Sequence, residues 1–208
     1  MFDVAIINYE MGNLRSIRSA CEAAGLKTII TDNPKIIKKS KSIILPGVGA
    51  FNQAIKNIKK KKLFRIILDF YYSGKPIIGI CLGMQILFEE SEENLNTKGF
   101  GIIKGAVREF NHRNKNKVIN IGWRKIKVKK FKNTYLDILN NNKKFYFIHK
   151  FICVPNDKNI ILAHSNYFNK KFCAAIKYEN VEAYQFHPEK SGINGIKVYK
   201  NLKKKIML

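Results

Sequence analysis

The chain has 208 residues, four cysteines, one tryptophan and a formal net charge of +24 at neutral pH. That length can bury a core without staples, and four cysteines with no C-x-x-C pair and no clustered histidines exclude a disulfide framework and a zinc site. Only six of the 39 basic residues are arginine, so the charge lacks the bidentate forks that base and phosphate recognition favours.

Short apolar runs alternate with amphipathic helical segments, the signature of a parallel sheet covered on both faces. A strand is expected over 4–8. A helix follows from Leu14, with Ile17, Ala20, Cys21 and Ala24 at helical spacing and Gly25 closing it. Strands at 27–31 and 42–45 flank a polar turn through Asp32-Asn33-Pro34, and the second runs into Pro46-Gly47-Val48-Gly49. Helical patterns at 51–59 and 63–72 lead to an apolar strand at 76–80. After it, a helix over 84–88 and a polar loop over 89–98 are expected. From 102 onward the pattern turns to strands, at 118–121, 126–128, 145–149, 160–163, 174–178 and 181–185, and a lysine-rich helix over 195–206 closes the chain. The biased stretch 111–117 reads as a loop. No linker or repeat divides the sequence, so one domain over 1–208 is expected, α/β in class: a mostly parallel sheet with helices on both faces and a strand-rich C-terminal half. No stretch approaches the roughly 20 apolar residues that cross a bilayer, and the first apolar run is too short for a signal-peptide core; a cytoplasmic protein is expected.

The chemistry concentrates at Gly79-Ile80-Cys81-Leu82-Gly83, where the apolar strand meets the following helix. A cysteine there occupies a nucleophile elbow, a turn so tight that its central residue is strained and its neighbours two positions away must be small. Amides at the start of the next helix face the sulfur and favour the reactive thiolate. A nucleophile needs a base, and Gln185-Phe186-His187-Pro188-Glu189-Lys190-Ser191 supplies a histidine with a carboxylate two residues on. Cys21, Cys153 and Cys173 read as inert core residues.

Gly79-Ile80-Cys81-Leu82-Gly83-Met84-Gln85, Pro46-Gly47-Val48-Gly49 and the His-Pro-Glu-Lys-Ser run at 187–191 resemble the triad-type class I glutamine amidotransferases. Within them the likeness is to the glutaminase subunits of imidazole glycerol phosphate synthase, and Met11-Gly12-Asn13-Leu14-Arg15-Ser16, Gly122-Trp123 and Tyr146-Phe147-Ile148-His149 extend it over nearly the whole chain. The resemblance implies a glutaminase that hydrolyses L-glutamine through a thioester on Cys81, with His187 as proton carrier and Glu189 as its orienting group. The oxyanion would be held by the Leu82 amide and by a switchable peptide at Gly47-Val48. Gln85, Lys150 and Phe151 would flank bound glutamine. It further implies a (β/α)8 barrel cyclase as partner, contacted through Asn13, Trp123, Tyr146 and Lys190, which takes the ammonia to make imidazole glycerol phosphate and a carboxamide ribonucleotide. No cofactor is implied.

Departures from that family stand at Glu10, where glycine is usual, and at Lys150 and Phe151, where Ser or Thr and then Tyr are usual. Lys104 replaces a usual proline. The departures at Glu10, Lys150 and Phe151 motivate a second reading, a paralogous glutaminase feeding another synthetase, such as one amidating a cell-surface sugar. A third, from a different class, is a noncatalytic module that uses its charge on nucleic acid.

Overall fold

Runs such as Val4-Ala5-Ile6-Ile7 are apolar at every position, so they cannot present one face to water and belong in a sheet covered on both sides. The computed structural model describes residues 1–93, 97–110, 119–129, 134–137 and 143–207. In chain order its elements are β1 (Val4–Ile7), α1 (Leu14–Ala23), β2 (Thr28–Thr31), α2 (Pro34–Lys39), β3 (Ser42–Leu45), α3 (Phe51–Lys60), α4 (Leu63–Tyr72), β4 (Ile77–Ile80), α5 (Leu82–Gln85), β5 (Phe88–Ser91), β6 (Thr97–Lys98), β7 (Ile103–Glu109), β8 (Asn120–Val128), β9 (Lys144–His149), β10 (Phe151–Pro155), β11 (Ile161–Tyr167), β12 (Lys170–Tyr178), β13 (Val181–Tyr184) and α6 (Gly192–Ile206). Nine strands form one sheet in the order β2-β1-β3-β4-β13-β12-β11-β8-β9, and a second sheet runs β10-β7-β5-β6. From β2 to β13 the large sheet is parallel. From β13 to β9 it is antiparallel.

Alternate residues of the parallel strands divide the core. Val4, Ile6 and Ile44 pack with Ile17 and Cys21 of α1 and with Val198 and Leu202 of α6. Ala5, Ile7, Ile43 and Leu45 pack with Ile37 of α2, Ile55 of α3 and Ile67 of α4. Each fully buried aliphatic chain contributes about 1.5–3 kcal/mol. Helices therefore cover both faces, and β4 lies between β3 and β13.

Several elements differ from expectation. The polar turn at 32–34 starts a helix: Asn33 caps α2, its Oδ1 accepting the Lys35 N–H at 2.9 Å, and Pro34 takes the first helical position. The helix expected at 84–88 is a single turn, α5, after which Phe88 opens β5. Half of the loop expected at 89–98 is thus strand, residues 89–91 in β5 and 97–98 in β6, with residues 94–96 lying outside those described. The acidic residues of β5 misled the pattern, because lysines neutralise them: Lys98 meets Glu90 at 2.7 Å and Lys104 meets Glu89 at 2.9 Å. The strands at 118–121 and 126–128 are one strand, β8, paired with β9 from Asn120 opposite His149 to Lys125 opposite Lys144; Val118 and the loop at 111–117 lie outside the described residues. Strands β7 and β10 were not anticipated. β11 and β12 run beyond 160–163 and 174–178 because their mutual pairing carries Asn166 and Lys171 along.

Glu10, the unusual residue of the first βα turn, sits at φ 64°, a conformation glycine adopts without cost. Its N–H bonds to Asn8 Oδ1 at 3.2 Å and its carboxylate meets Lys61 at 3.1 Å. An exposed ion pair is worth at most about 1 kcal/mol, against about 1–2 kcal/mol for the left-handed backbone. Glu10→Gly is therefore expected to stabilise the protein by about 0.5–1 kcal/mol in urea unfolding.

Glu182 is buried in the middle of β13. Burial pushes its carboxyl up to about 7, against the opposing pull of the Tyr184 hydroxyl at 2.6 Å, the Tyr135 N–H, Lys177 and Lys205. Below the ordinary carboxyl value of 4.5 both states hold the proton. Between 4.5 and 7 the unfolded chain ionises first, so stability falls as pH rises, by up to about 3 kcal/mol. Glu182→Gln is expected to remove that slope from unfolding free energies measured between pH 4.5 and 8.

Candidate active site

Cys81 stands between β4 and α5 at φ 52° and ψ −106°, the strained backbone of a nucleophile elbow. Its own N–H is bonded to the Tyr184 carbonyl at 2.7 Å, which ties the turn to β13. The flanking glycines are explained by close approach. A Cβ at Gly79 would lie 2.8 Å from the Gly83 carbonyl oxygen, and one at Gly83 only 1.9 Å from that of Leu45. Leu82 is the first residue of α5, so its amide has no place in the helix's own ladder and is free for an incoming oxygen. A helix of one turn supplies little dipole, and the polarity at the sulfur comes from individual amides.

β13 delivers His187 three residues beyond its end. The backbone of His187 is pinned, its N–H donating to the Tyr146 carbonyl at 2.9 Å while its carbonyl accepts from the Ser191 hydroxyl at 2.6 Å. Nδ1 meets Glu189 Oε1 at 2.8 Å with both side chains buried. Nε2 is buried without a hydrogen-bond partner. Burial alone would drive the ring neutral, but the neighbouring Cys81 sulfur and the Glu189 carboxylate outweigh it and raise His187 to about 10. These two neighbours favour the imidazolium, the form the ring takes after accepting a thiol proton.

Pro46-Gly47-Val48-Gly49 leaves β3 directly over the elbow. The Tyr9 hydroxyl donates to the Pro46 carbonyl, and a Cβ at Gly47 would come within 2.6 Å of the Leu82 Cβ. The loop therefore touches the residue whose amide is free. Val48 is 41% exposed and Gly49 has φ +113°.

A pocket of about 260 Å³ opens at the sulfur, with Val48, Leu82, Gln85, Glu93, Lys150 and Phe151 in its wall. That is below the roughly 300–1,000 Å³ of drug-sized sites and suits a small metabolite. Gln85, Lys150 and Phe151, expected from the resemblance to flank glutamine, all line this pocket. Lys150 is ion-paired with Glu109 at 2.8 Å and its ammonium lies over the Phe151 ring. Sequence reasoning missed Glu93, whose Oε2 accepts the Phe51 N–H at 2.8 Å, because an acid in a polar stretch carries no signal of its own. It also missed Gln185, whose Nε2 lies 3.5 Å from the Cys81 sulfur, and His149 and Asn120, which are bonded to each other at 2.9 Å farther back.

Of the surface residues, Trp123 packs edge-on against Tyr146, with ring centroids 6.1 Å apart, and the Lys190 ammonium lies 5.8 Å from the Tyr146 ring. Trp123 is 48% exposed and shares its sheet face with Ile121 and Ile148, which are also exposed. Asn13 is exposed and caps α1, its Oδ1 accepting the Ser16 N–H at 3.3 Å. Among the described residues no group of three or more His, Cys, Asp or Glu could hold a metal ion, and no described helix is long and apolar enough to cross a membrane.

The sequence matches the family Glutamine amidotransferase class-I over residues 5–203. It is 39% identical over 201 residues to the Imidazole glycerol phosphate synthase subunit HisH of Aquifex aeolicus, covering 96% of this chain and 95% of that one. Against the subunits of the same name from Prochlorococcus marinus and Geobacter metallireducens it is 38% and 36% identical, each over at least 97% of both chains. Among solved structures, PurLQS from Thermotoga maritima superposes with a TM-score of 0.77 at 21% identity, covering 99% of each chain. The glutaminase domain of Trypanosoma brucei CTPS with bound acivicin superposes at 0.69 and 13% identity, covering 100% of this chain and 94% of that one.

Proposed function

The chain belongs to the class I glutamine amidotransferases, and from that premise we propose that Cys81, His187 and Glu189 hydrolyse glutamine to supply ammonia within imidazole glycerol phosphate synthase. What carries the reading is a strained, glycine-flanked cysteine beside a buried imidazolium, in a chain alike over almost its full length to subunits of that synthase.

The amide carbon of glutamine is a poor electrophile, so the reaction is divided into two easier steps. The Cys81 thiolate attacks the carboxamide carbon, and the oxygen takes up negative charge against the Leu82 N–H and an N–H of the Gly47-Val48 segment. Each such donor is worth about 3–4 kcal/mol in the transition state. His187 hands its proton to the departing nitrogen, ammonia leaves and a thioester remains. The now neutral ring takes a proton from water as the water attacks the thioester, and glutamate departs with the thiolate restored. Glu189 keeps Nδ1–H directed away from the sulfur, so Nε2 faces the reaction. Glu93 and Lys150 offer an anion and a cation to the two charged groups of an α-amino acid, and Gln85 shapes the floor.

Ammonia released into water is lost, so the subunit works joined to a (β/α)8 barrel cyclase in histidine biosynthesis, one glutaminase domain to one barrel, in the cytoplasm. The exposed Trp123, Tyr146 and Ile148 face provides a docking surface of the aromatic kind that anchors interfaces, with Asn13 and Lys190 at its edge. The backbone bond from Tyr146 to His187 joins that surface to the triad. Likeness to the synthase subunits favours this reading over the paralogous one; the Cys81, His187 and Glu189 cluster weighs against a nucleic-acid module.

Glutamine hydrolysis by this chain with its organism's cyclase barrel, with and without the ribulosyl nucleotide intermediate, tests the reading. Barrel plus nucleotide is expected to raise the rate by about tenfold or more, the scale of an ordinary coupling free energy. A chain labelled at Cys81 by a reactive glutamine analogue, yet indifferent to barrel and nucleotide, would be a glutaminase for another acceptor.

A further inference from the structure

Gln185 is fully buried at the end of β13, and its Nε2 lies 3.5 Å from Cys81 Sγ. The direction of this amide is fixed by its other end, because Gln85 Nε2 donates to Gln185 Oε1 at 3.3 Å. Turned over, Gln185 would set two amino groups against each other and leave the sulfur facing a carbonyl. Gln85 is itself anchored, donating to the Phe151 carbonyl at 3.1 Å. That carbonyl also takes His149 Nδ1 at 3.0 Å, and His149 Nε2 accepts Asn120 Nδ2 at 2.9 Å. Burial keeps the His149 ring neutral, which suits a ring that donates from one nitrogen and accepts at the other. All four side chains are buried.

We infer that Gln185 is a catalytic residue, whose amide stabilises the Cys81 sulfur whenever it carries negative charge. The inference rests on Cys81 being the nucleophile. A neutral thiol is a weak acceptor, whereas a hydrogen bond to an anion is about twice as strong as one between neutral groups. The contact strengthens on deprotonation and weakens as the sulfur shares its electron pair with the substrate carbon. It is regained when the C–S bond of the thioester breaks and the pair returns to sulfur. An interaction that grows as charge develops accelerates that step. The Gln85, Phe151, His149 and Asn120 links are positioning groups that keep the donor aimed.

Alkylation of Cys81 by iodoacetamide, read by peptide mass spectrometry, tests this without requiring turnover. Gln185→Met keeps the bulk and removes the donor; it is expected to slow alkylation at neutral pH about tenfold, with the rate–pH profile displaced to higher pH. Gln185→Glu sets a carboxylate beside the sulfur and is expected to be slower still. Gln85→Met frees the amide to turn and should give a smaller loss. Thermal unfolding of each variant accompanies the rates. A folded Gln185→Met with wild-type rate and profile overturns the assignment; if that variant unfolds early, an unchanged profile in the near-isosteric Gln185→Glu does the same. The glutaminase reading fails separately: wild-type Cys81 would then react with iodoacetamide but ignore a reactive glutamine analogue in the barrel complex.

Discussion

Cys81→Ser is expected to lower glutamine hydrolysis in the barrel complex by about a thousandfold or more, and His187→Asn by a similar factor. The double variant should be little worse than either single one, because nucleophile and base act as a unit and removing one idles the other. A serine hydroxyl holds its proton far more tightly than a thiol, so little alkoxide forms to attack, and without the sulfur His187 also loses the largest of the charges that raise it. Glu189→Gln should cost less at neutral pH, about a hundredfold, since geometry is kept while the charge is lost. Its distinctive effect is on pH. Glu189 and the Cys81 sulfur together hold His187 at about 10 against burial, so losing the carboxylate lets the imidazolium surrender its proton earlier, and the alkaline limb of the rate profile moves to lower pH. The same shift gives the fold a stabilising contribution that is complete below the ordinary histidine value of 6.5 and lost as pH rises toward 10. Rates and unfolding free energies measured from pH 6 to 10 check the two in turn. A Glu189→Gln profile coincident with wild type would show that the carboxylate is not what sustains the cation.

The triad and the elbow were legible in sequence because each is a local constraint. Gly79 and Gly83 mark a backbone approach no side chain tolerates, and His187 and Glu189 are two residues apart, so one short segment sets their geometry. The parallel strands were legible for the same reason, since an unbroken apolar run has few other uses. Sequence was weaker where neighbours distant in the chain decide the outcome. The acidic strand β5 survives only because Lys98 and Lys104 come alongside it. β8 runs through Gly122 because β9 supplies a partner for every residue around it. Gln185 was in plain view, yet nothing local shows that its amide turns toward Cys81; that follows from Gln85, a hundred residues away, occupying its oxygen. Glu10 was recognised as unusual for its turn, and its positive φ agrees, but its counter-cation Lys61 belongs to a helix end that sequence spacing does not bring near.

Gly83→Ala is expected to destabilise the chain by more than about 4 kcal/mol and to abolish activity in whatever remains folded. The added carbon would lie 1.9 Å from the Leu45 oxygen, 2.6 Å from the Leu45 carbonyl carbon and 3.1 Å from the Pro46 oxygen. All three are backbone atoms, so no rotamer change relieves the overlap; the end of β3 must separate from the elbow. Gly47→Ala meets the Leu82 Cβ at 2.6 Å and the Tyr9 hydroxyl at 3.0 Å, partly side-chain atoms, and should cost about 1–3 kcal/mol. Gly74→Ala has nothing within 4 Å of the new carbon but sits at φ +74°, so it isolates the backbone penalty, about 1–2 kcal/mol, with activity intact. Urea unfolding ranks the three. Near-wild-type stability in Gly83→Ala would mean that α5 does not rest on the end of β3. The expected order has a consequence for catalysis, because the atoms that Gly83 admits, Leu45 and Pro46, also carry the oxyanion loop. Displacing them by a few tenths of an ångström moves the Gly47-Val48 peptide relative to the Leu82 amide. Gly47→Ala should therefore lower kcat far more than its modest loss of stability explains.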